Sequence, residues 1–108
     1  NAGGNYGVSI GSSSSSSANN GLSIGCSANS TAQNAVAIGY GSNATEVGQF
    51  DISTGSNDTA GYNSSGYRLL TGLYDPQNAH DAATKGYVDS LVGDVASALD
   101  AINNGGGN

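Results

Sequence analysis

The sequence predicts a mainly β protein with a C-terminal α-helix, in which a parallel β-solenoid leads through a neck into a short three-stranded coiled coil. Three observations predict this fold: a 14-residue repeat over 5–46, an apolar stripe at helical spacing over 88–102, and a shortage of large apolar residues. The third observation indicates that identical chains share a core. We expect β-roll repeats over 1–52, a loop and neck over 53–80, a trimeric coiled-coil helix over 81–103 and a flexible glycine tail over 104–108.

The composition is unusual for a folded domain of 108 residues. Charged residues make up 9% of the chain, against about 25% in typical soluble proteins. Val, Ile, Leu and Phe together number 18, which is roughly 17% of the chain and lies below the ~20% under which a charged chain is usually disordered. The chain is therefore either disordered or ordered by sharing a core with its own copies, because a small domain buries too little surface alone.

The charge is strongly acidic. The formal net charge is −6, and Arg68 and Lys85 are the only fixed cations. Nucleic acid and anionic membrane surfaces are bound by clustered basic residues, so neither is expected as a partner. Since no run of about 18 apolar residues is present, we also expect no insertion of this segment into a membrane.

A fourteen-residue repeat decides between order and disorder. Three segments align without a gap: 5–18 is NYGVSIGSSSSSSA, 19–32 is NNGLSIGCSANSTA and 33–46 is QNAVAIGYGSNATE. Each contains an aliphatic residue, a small residue, Ile and Gly in that order. The aliphatic-x-Ile pattern has period two, so both large side chains point to one face of a short strand. A three-fold match at a fixed period favours an ordered solenoid.

Each repeat fits one coil with two short strands and two turns, and stacked coils would lie about 4.8 Å apart. Taken by itself, the serine run 12–17 resembles a linker. Aligned in register with the other repeats, it is interpreted as a structured arm. Glycine after each Ile provides the permissive backbone of a corner. The predicted roll core is Val8, Ile10, Leu22, Ile24, Val36 and Ile38, and the predicted corners are Gly11, Gly25 and Gly39. Two large side chains per coil are too few for a stable monomer.

Beyond the repeat, alternating residues over 49–53 predict one more strand, with Phe50 and Ile52 on one face, and 67–73 predicts another. From about Asn78 the period changes to that of a helix, which Asn78 or Asp81 is expected to cap. Its apolar stripe is broader than the seam of a dimer and favours a three-stranded bundle over a single docked helix. The predicted coiled-coil core is Val88, Leu91, Val92, Val95, Leu99 and Ile102.

Two stretches together resemble a known architecture. The repeats over 19–46 resemble the head repeats of trimeric autotransporter adhesins and of related phage tail fibres, and RLLTGLYDPQNAHDAATKGYVDSL over 68–91 resembles their neck. The wording Asp-Ala-Ala-Thr-Lys-Gly-Tyr-Val over 81–88 is the form typical of phage fibres. The resemblance implies a homotrimeric left-handed parallel β-roll. It also implies that the neck includes Arg68, Asp81, Lys85 and Tyr87.

The resemblance implies a structural, non-catalytic segment of a tail fibre on the virion, which presents a receptor-binding region for host attachment. Its expected partners are its own copies, other fibre or virion proteins, and a host surface glycan or receptor. The alternative is the head and neck of a trimeric adhesin on the bacterial cell surface. An ice-binding β-solenoid is a third reading, disfavoured because regular Thr-x-Thr rows are missing.

No catalytic, cofactor or metal site is predicted. His80 is the only histidine, and Cys26 lies far from it in sequence and near no cation, whereas a reactive cysteine needs an electropositive setting. The acidic residues do not follow the spacing of a calcium loop. Arg68 is expected to pair across the trimer with Asp75 or Asp81, and the alternative is an arginine that faces solvent.

Overall fold

The computed structural model describes residues 1–55 and 66–105. Two compact units make up the chain, residues 1–69 and residues 70–108. Residues 56–65 of the loop and neck predicted over 53–80, and residues 106–108 of the predicted glycine tail, lie outside the described residues. The first unit is a parallel β-solenoid and the second contains one long helix, so the prediction of a mainly β solenoid with a C-terminal helix is confirmed.

Seven short strands form the solenoid. They are β1 (Val8–Ile10), β2 (Ser15–Ser16), β3 (Leu22–Ile24), β4 (Asn29–Ser30), β5 (Val36–Ile38), β6 (Asn43–Ala44) and β7 (Phe50–Asp51). Strands β1, β3, β5 and β7 form one parallel sheet in that order, and β2, β4 and β6 form a second. Odd and even strands alternate along the chain, so each coil contributes one strand to each sheet.

The register stacks like residues on like residues. Val8 pairs with Leu22, Leu22 with Val36, and Val36 with Phe50. In the second sheet, Asn29 pairs with Asn43, and the side-chain nitrogen Nδ2 of Asn29 donates to the side-chain oxygen Oδ1 of Asn43 across 3.2 Å. Coils therefore stack with their aliphatic and amide side chains in continuous rows.

The interior of the solenoid is filled by small side chains. Ser23 and Ala37, the middle residues of β3 and β5, are fully buried, and the hydrophobic core consists of Ala28, Ala35, Ala37 and Ala44. Since alternate residues of a strand point to opposite faces, the aliphatic residues on either side point outward. In one chain, the outer face of the first sheet is lined by Val8, Ile10, Leu22, Ile24, Val36 and Ile38. That these residues form the core of an assembled roll stays a prediction.

Tight turns close each coil. The amide of Ala28 donates to the carbonyl of Gly25 across 3.1 Å, and Ser27 between them has a φ of 60°. Equivalent turns begin at Gly11 and at Gly39. A Cβ atom on Gly25 would come within 2.8 Å of the backbone carbon of Gly39 in the next coil. Glycine is therefore required at these corners, both by the positive φ of 125° at Gly25 and by the close approach of coils.

The helix α1 runs over Lys85–Gly105 and begins later than the predicted boundary at 81. Thr84 is its N-cap: the side-chain oxygen of Thr84 accepts from the amide of Tyr87 at 3.1 Å, and its carbonyl accepts from the amide of Val88. The predicted cap, Asn78 or Asp81, is therefore wrong: both residues precede Thr84, and the Asp81 carboxylate accepts hydrogen bonds from the amides of Gln77 and Asn78 in the preceding turn.

Candidate functional site

The outer face of the first sheet carries the aliphatic ladder, which we define as the row of Val8, Ile10, Leu22, Ile24, Val36 and Ile38 continued by Phe50. Val8 and Ile10 are 45% and 57% exposed, and Phe50 is 64% exposed. The four residues of β3 and β5 are partly buried by their neighbours in the row. The ladder is an apolar surface that runs across all four strands of the sheet, a feature that commonly marks an interaction site.

The helix carries a second apolar surface, the helix stripe, formed by the six predicted coiled-coil positions. Their exposed fractions run from 45% at Val88 to 66% at Ile102. These residues recur at spacings of three and four, so they lie on one side of α1. Within the described part of the second unit, the stripe faces solvent. Its members are Val88, Leu91, Val92, Val95, Leu99 and Ile102.

Residues 66–84, the described part of the chain before α1, contain no helix or strand, so the strand predicted over 67–73 is not formed. The large apolar side chains of this segment are exposed: Leu69 is 77% exposed and Tyr74 is 83% exposed. An extended segment with exposed leucines cannot stabilise itself within one chain, because it buries little apolar surface.

Arg68 lies against the last corner of the solenoid. One guanidinium nitrogen, Nη1, donates to the carbonyl of Ile52 at 2.8 Å and to the carbonyl of Ser53 at 3.1 Å. The guanidinium also fills the space above Gly39, where a Cβ atom would collide with it. Within the chain, Arg68 therefore binds backbone carbonyls; its pairing with Asp75 or Asp81 of another chain stays a prediction.

The other predicted neck residues lie in or just before the first turns of α1. Lys85 forms an exposed ion pair with Asp89, one helical turn on, with 2.7 Å between Nζ and Oδ2. Tyr87 is 41% exposed. Hydrogen bonds from the amides of Gln77 and Asn78 lower the pKa of the Asp81 carboxyl below its ordinary value, because they stabilise the charged form.

Sequence reasoning missed a third feature, at the C-terminal edge of the solenoid. In the earlier coils, the amide of Ser15 donates to the carbonyl of Ala28, and that of Asn29 to the carbonyl of Ser42, each at 2.9 Å. The next amide in this series, that of Asn43, donates instead to the carboxylate of Asp51 at 2.7 Å. A side chain has replaced the carbonyl of a following coil.

The same replacement occurs two residues further on. The amide of Thr31 donates to the carbonyl of Ala44 at 2.9 Å. One coil later, the amides of Thr45 and Glu46 both donate to the side-chain oxygen of Gln49, at 2.9 and 3.0 Å. The sequence did hold a signal, because Gln49 and Asp51 stand at inward positions that earlier coils fill with Gly, Ala or Ser.

Cys26 and His80, the residues considered for chemistry, belong to neither apolar surface. Cys26 is a free, exposed thiol at a corner, and its sulfur lies 3.8 Å from the Ser27 hydroxyl. His80 is exposed in the turn before α1. Among the residues that the structure describes, no three histidine, cysteine or acidic side chains form a group suited to a metal ion. No helix in residues 1–55 or 66–105 has the length and apolar character needed to cross a bilayer.

Comparison with known proteins adds no family to this description. No protein-family model matches the chain, and no curated protein shows significant similarity to it.

Proposed function

We propose that the chain is a structural, non-catalytic segment of a homotrimeric phage tail fibre, which presents a receptor-binding region for attachment to the host cell. In this proposal the 14-residue repeats of three chains form a left-handed β-roll head, and their helices continue as a three-stranded coiled coil. The aliphatic ladder carries the proposal, because one chain leaves its largest side chains outside its own core.

The free energy gained by burying apolar surface favours self-association through the ladder. Burying an aliphatic side chain contributes about 1.5–3 kcal/mol, yet the interior of this solenoid holds only Ala, Ser and other small residues. The ladder residues give this contribution only when another surface covers them. A second copy presents the same ladder with the same spacing between coils, so self-association covers every rung at once.

The helix stripe supports the same assembly. A stripe that uses two adjacent heptad seams is broad enough to contact two neighbouring helices, which is the arrangement in a three-stranded bundle. Gly86 and Gly93 each cost the helix up to about 1 kcal/mol against Ala. A 21-residue helix with this composition gains its stability from partner helices.

The molar mass in solution tests the proposal. Sedimentation equilibrium is expected to give three times the chain mass of 10.5 kDa for protein whose far-ultraviolet circular dichroism shows folded β and helical structure. A folded species of one chain mass would overturn the proposal, since the ladder would then be stable in water.

The closest alternative is the head and neck of a bacterial trimeric adhesin, which uses the same exposed ladder. The two differ in what adjoins the segment in a longer protein, a virion-attachment region or a membrane-anchoring domain. Antibody labelling of intact virions and of intact bacterial cells separates the two owners. The ice-binding hypothesis is weaker, because the outward-facing row of strands β2, β4 and β6 is Ser15, Asn29 and Asn43 rather than threonine; absence of thermal hysteresis would exclude it.

A further inference from the structure

The aliphatic ladder consists of two columns of side chains that differ in how much they vary. One repeat position, the isoleucine column, has the same residue in every coil, whereas the other, the mixed column, ranges from Val to Phe. We propose that the isoleucine column lies along the threefold axis of the fibre, while the mixed column packs against the flank of a neighbouring chain. This axial position rests on the homotrimer proposed above. The isoleucine column is Ile10, Ile24 and Ile38, continued by Ile52 at the same repeat position, and the mixed column is Val8, Leu22, Val36 and Phe50.

The side chains of each column stack directly on one another. Ile24 pairs in register with Ile10 on one side and with Ile38 on the other, and the mixed column keeps the same register. Successive side chains of a column are therefore about 4.8 Å apart, at a constant position across the sheet. The two columns are separated by two residues of a strand, or about 7 Å. Only one column can thus lie on an axis that runs along the stack.

A threefold axis restricts the size of a side chain more strictly than other parts of an interface do. A side chain on the axis meets two copies of itself, so a larger residue adds its extra volume three times at one level. The backbone sets the distance from strand to axis, and stacked coils keep this distance nearly constant. A column on the axis must therefore keep one size at every level, because close-packed interiors tolerate neither voids nor overlaps.

The isoleucine column meets this requirement and the mixed column does not. Isoleucine is β-branched and has few rotamers, so three copies at each level form equal layers. With the mixed column on the axis, three phenyl rings of Phe50 would occupy one level and three isopropyl groups of Val36 the level beside it. Either the rings would overlap or the valines would surround a void, and both are unfavourable.

Away from the axis, a change of size is easier to accommodate. There a side chain faces a different residue of the neighbouring chain, so a larger residue on one chain can be offset by a smaller one on the other. The variation from Val8 through Leu22 to Phe50 is of this kind. The mixed column is therefore the part of the ladder that contacts the flank of the next chain.

Zinc binding to introduced histidines tests which column lies on the axis. The full chain carries Cys26→Ser, which gives the second coil the serine that the first coil has at Ser12 and removes the thiol as a zinc ligand. Ile24→His then places one imidazole per chain on the axis, where three can bind one Zn²⁺. After dialysis at about pH 8, where imidazole is neutral, we expect one zinc ion per three chains and a melting temperature that zinc raises.

The matched variant is Leu22→His in the same Cys26→Ser chain. It introduces the same side chain two residues away, and its three imidazoles are expected to lie too far apart to share a metal ion. The Cys26→Ser chain without a new histidine measures any zinc that the native His80 retains.

A change of size tests the same geometry without a metal. Ile24→Phe places three benzyl groups at one level of the axis and is expected to weaken the trimer, so that the three-chain species is lost on dilution. Leu22→Phe introduces the residue that the mixed column already has at Phe50 and is expected to keep the three-chain mass. Sedimentation equilibrium at several protein concentrations measures both, and this pair decides the question if Ile24→His does not assemble.

The outcomes distinguish the axial position from the trimer itself. A parent of one chain mass would overturn both. The axial position alone would be overturned by a three-chain parent whose assembled Ile24→His variant binds no zinc, or whose Leu22→His variant binds it instead. The same conclusion would follow if Leu22→Phe weakened the assembly as much as Ile24→Phe.

Discussion

Ser16 and Ser30 occupy the same position in successive coils and pair with each other in register, yet only one of their two side-chain hydroxyls has a hydrogen-bond partner. The hydroxyl of Ser30 donates to the carbonyl of Ala35 at 3.0 Å. The hydroxyl of Ser16 is fully buried without a partner. The third coil has Ala44 at this position, also fully buried, so the fold accepts a methyl group there.

We expect Ser16→Ala to raise the free energy of unfolding by about 1 kcal/mol, because it removes a buried hydroxyl that gains nothing on folding. The matched variant Ser30→Ala is expected to lower it by a similar amount, since it removes a buried hydrogen bond to the carbonyl of Ala35, which then accepts only from the amide of Leu22. Urea denaturation of both variants at one protein concentration gives the comparison. Equal destabilisation by the two variants would show that the Ser16 hydroxyl is satisfied in solution.

The aliphatic ladder gives a prediction about assembly. Ile24→Asp places a charge in the centre of the ladder and is expected to reduce the molar mass from three chains to one, because burying an unpaired carboxylate is strongly unfavourable. Ser17→Asp adds the same charge at an exposed position of the serine run and is expected to leave the mass unchanged. Light scattering coupled to size-exclusion chromatography measures both. An unchanged mass for Ile24→Asp would remove the ladder from the interface.

Acid is expected to weaken the turn before α1 through Asp81. Its pKa in the folded chain is lowered from an ordinary value of 3.8, so the carboxylate stabilises the fold at higher pH, and this stabilisation is lost as the pH falls below about that value toward the folded pKa. In Asp81→Asn the side chain stays neutral at every pH. The melting temperatures of parent and variant should therefore differ near pH 6 and converge near pH 2; a constant difference would contradict the assignment.

The N-cap gives a fourth prediction. Thr84→Ala removes the acceptor for the amide of Tyr87 and is expected to cost about 1 kcal/mol of stability, with a loss of helical signal in circular dichroism. Thr84→Ser keeps the hydroxyl and is expected to retain most of that stability. If Thr84→Ser is as unstable as Thr84→Ala, the methyl group rather than the hydroxyl is what the helix start requires.

The sequence pattern predicted which residues share a face, but not which way that face points. Period two places Val8 and Ile10 together, and this holds in the structure. Which face points into the solenoid depends on the width of the coil. The coil is narrow, and its interior is filled by small side chains such as Ser23 and Ala37, so the larger aliphatic side chains point outward. The helix start was missed for a local reason, because both Asp81 and Thr84 are residues that cap helices and only the hydrogen bonds to Gln77 and Asn78 decide between them.

The side-chain hydrogen bonds at the C-terminal edge of the solenoid were missed because a side chain can take the place of a backbone carbonyl without any periodic signal in the sequence. Gln49 and Asp51 break the small-residue pattern at two inward positions. This break identifies the end of the solenoid once the inward direction is known. Position alone does not say that their oxygens reach back to the preceding coil.

The interior of small residues also determines how the length of the solenoid can vary. Each coil fills its own cross-section with methyl and hydroxymethyl groups, and the backbone hydrogen bonds between the first and second repeats recur between the second and third. Residues 19–32 form such a unit, with matched register on both sides. Duplicating or deleting that stretch would lengthen or shorten the solenoid by one coil, about 4.8 Å, without repacking any core. The length of the solenoid can therefore change in discrete increments while both of its ends keep their structure.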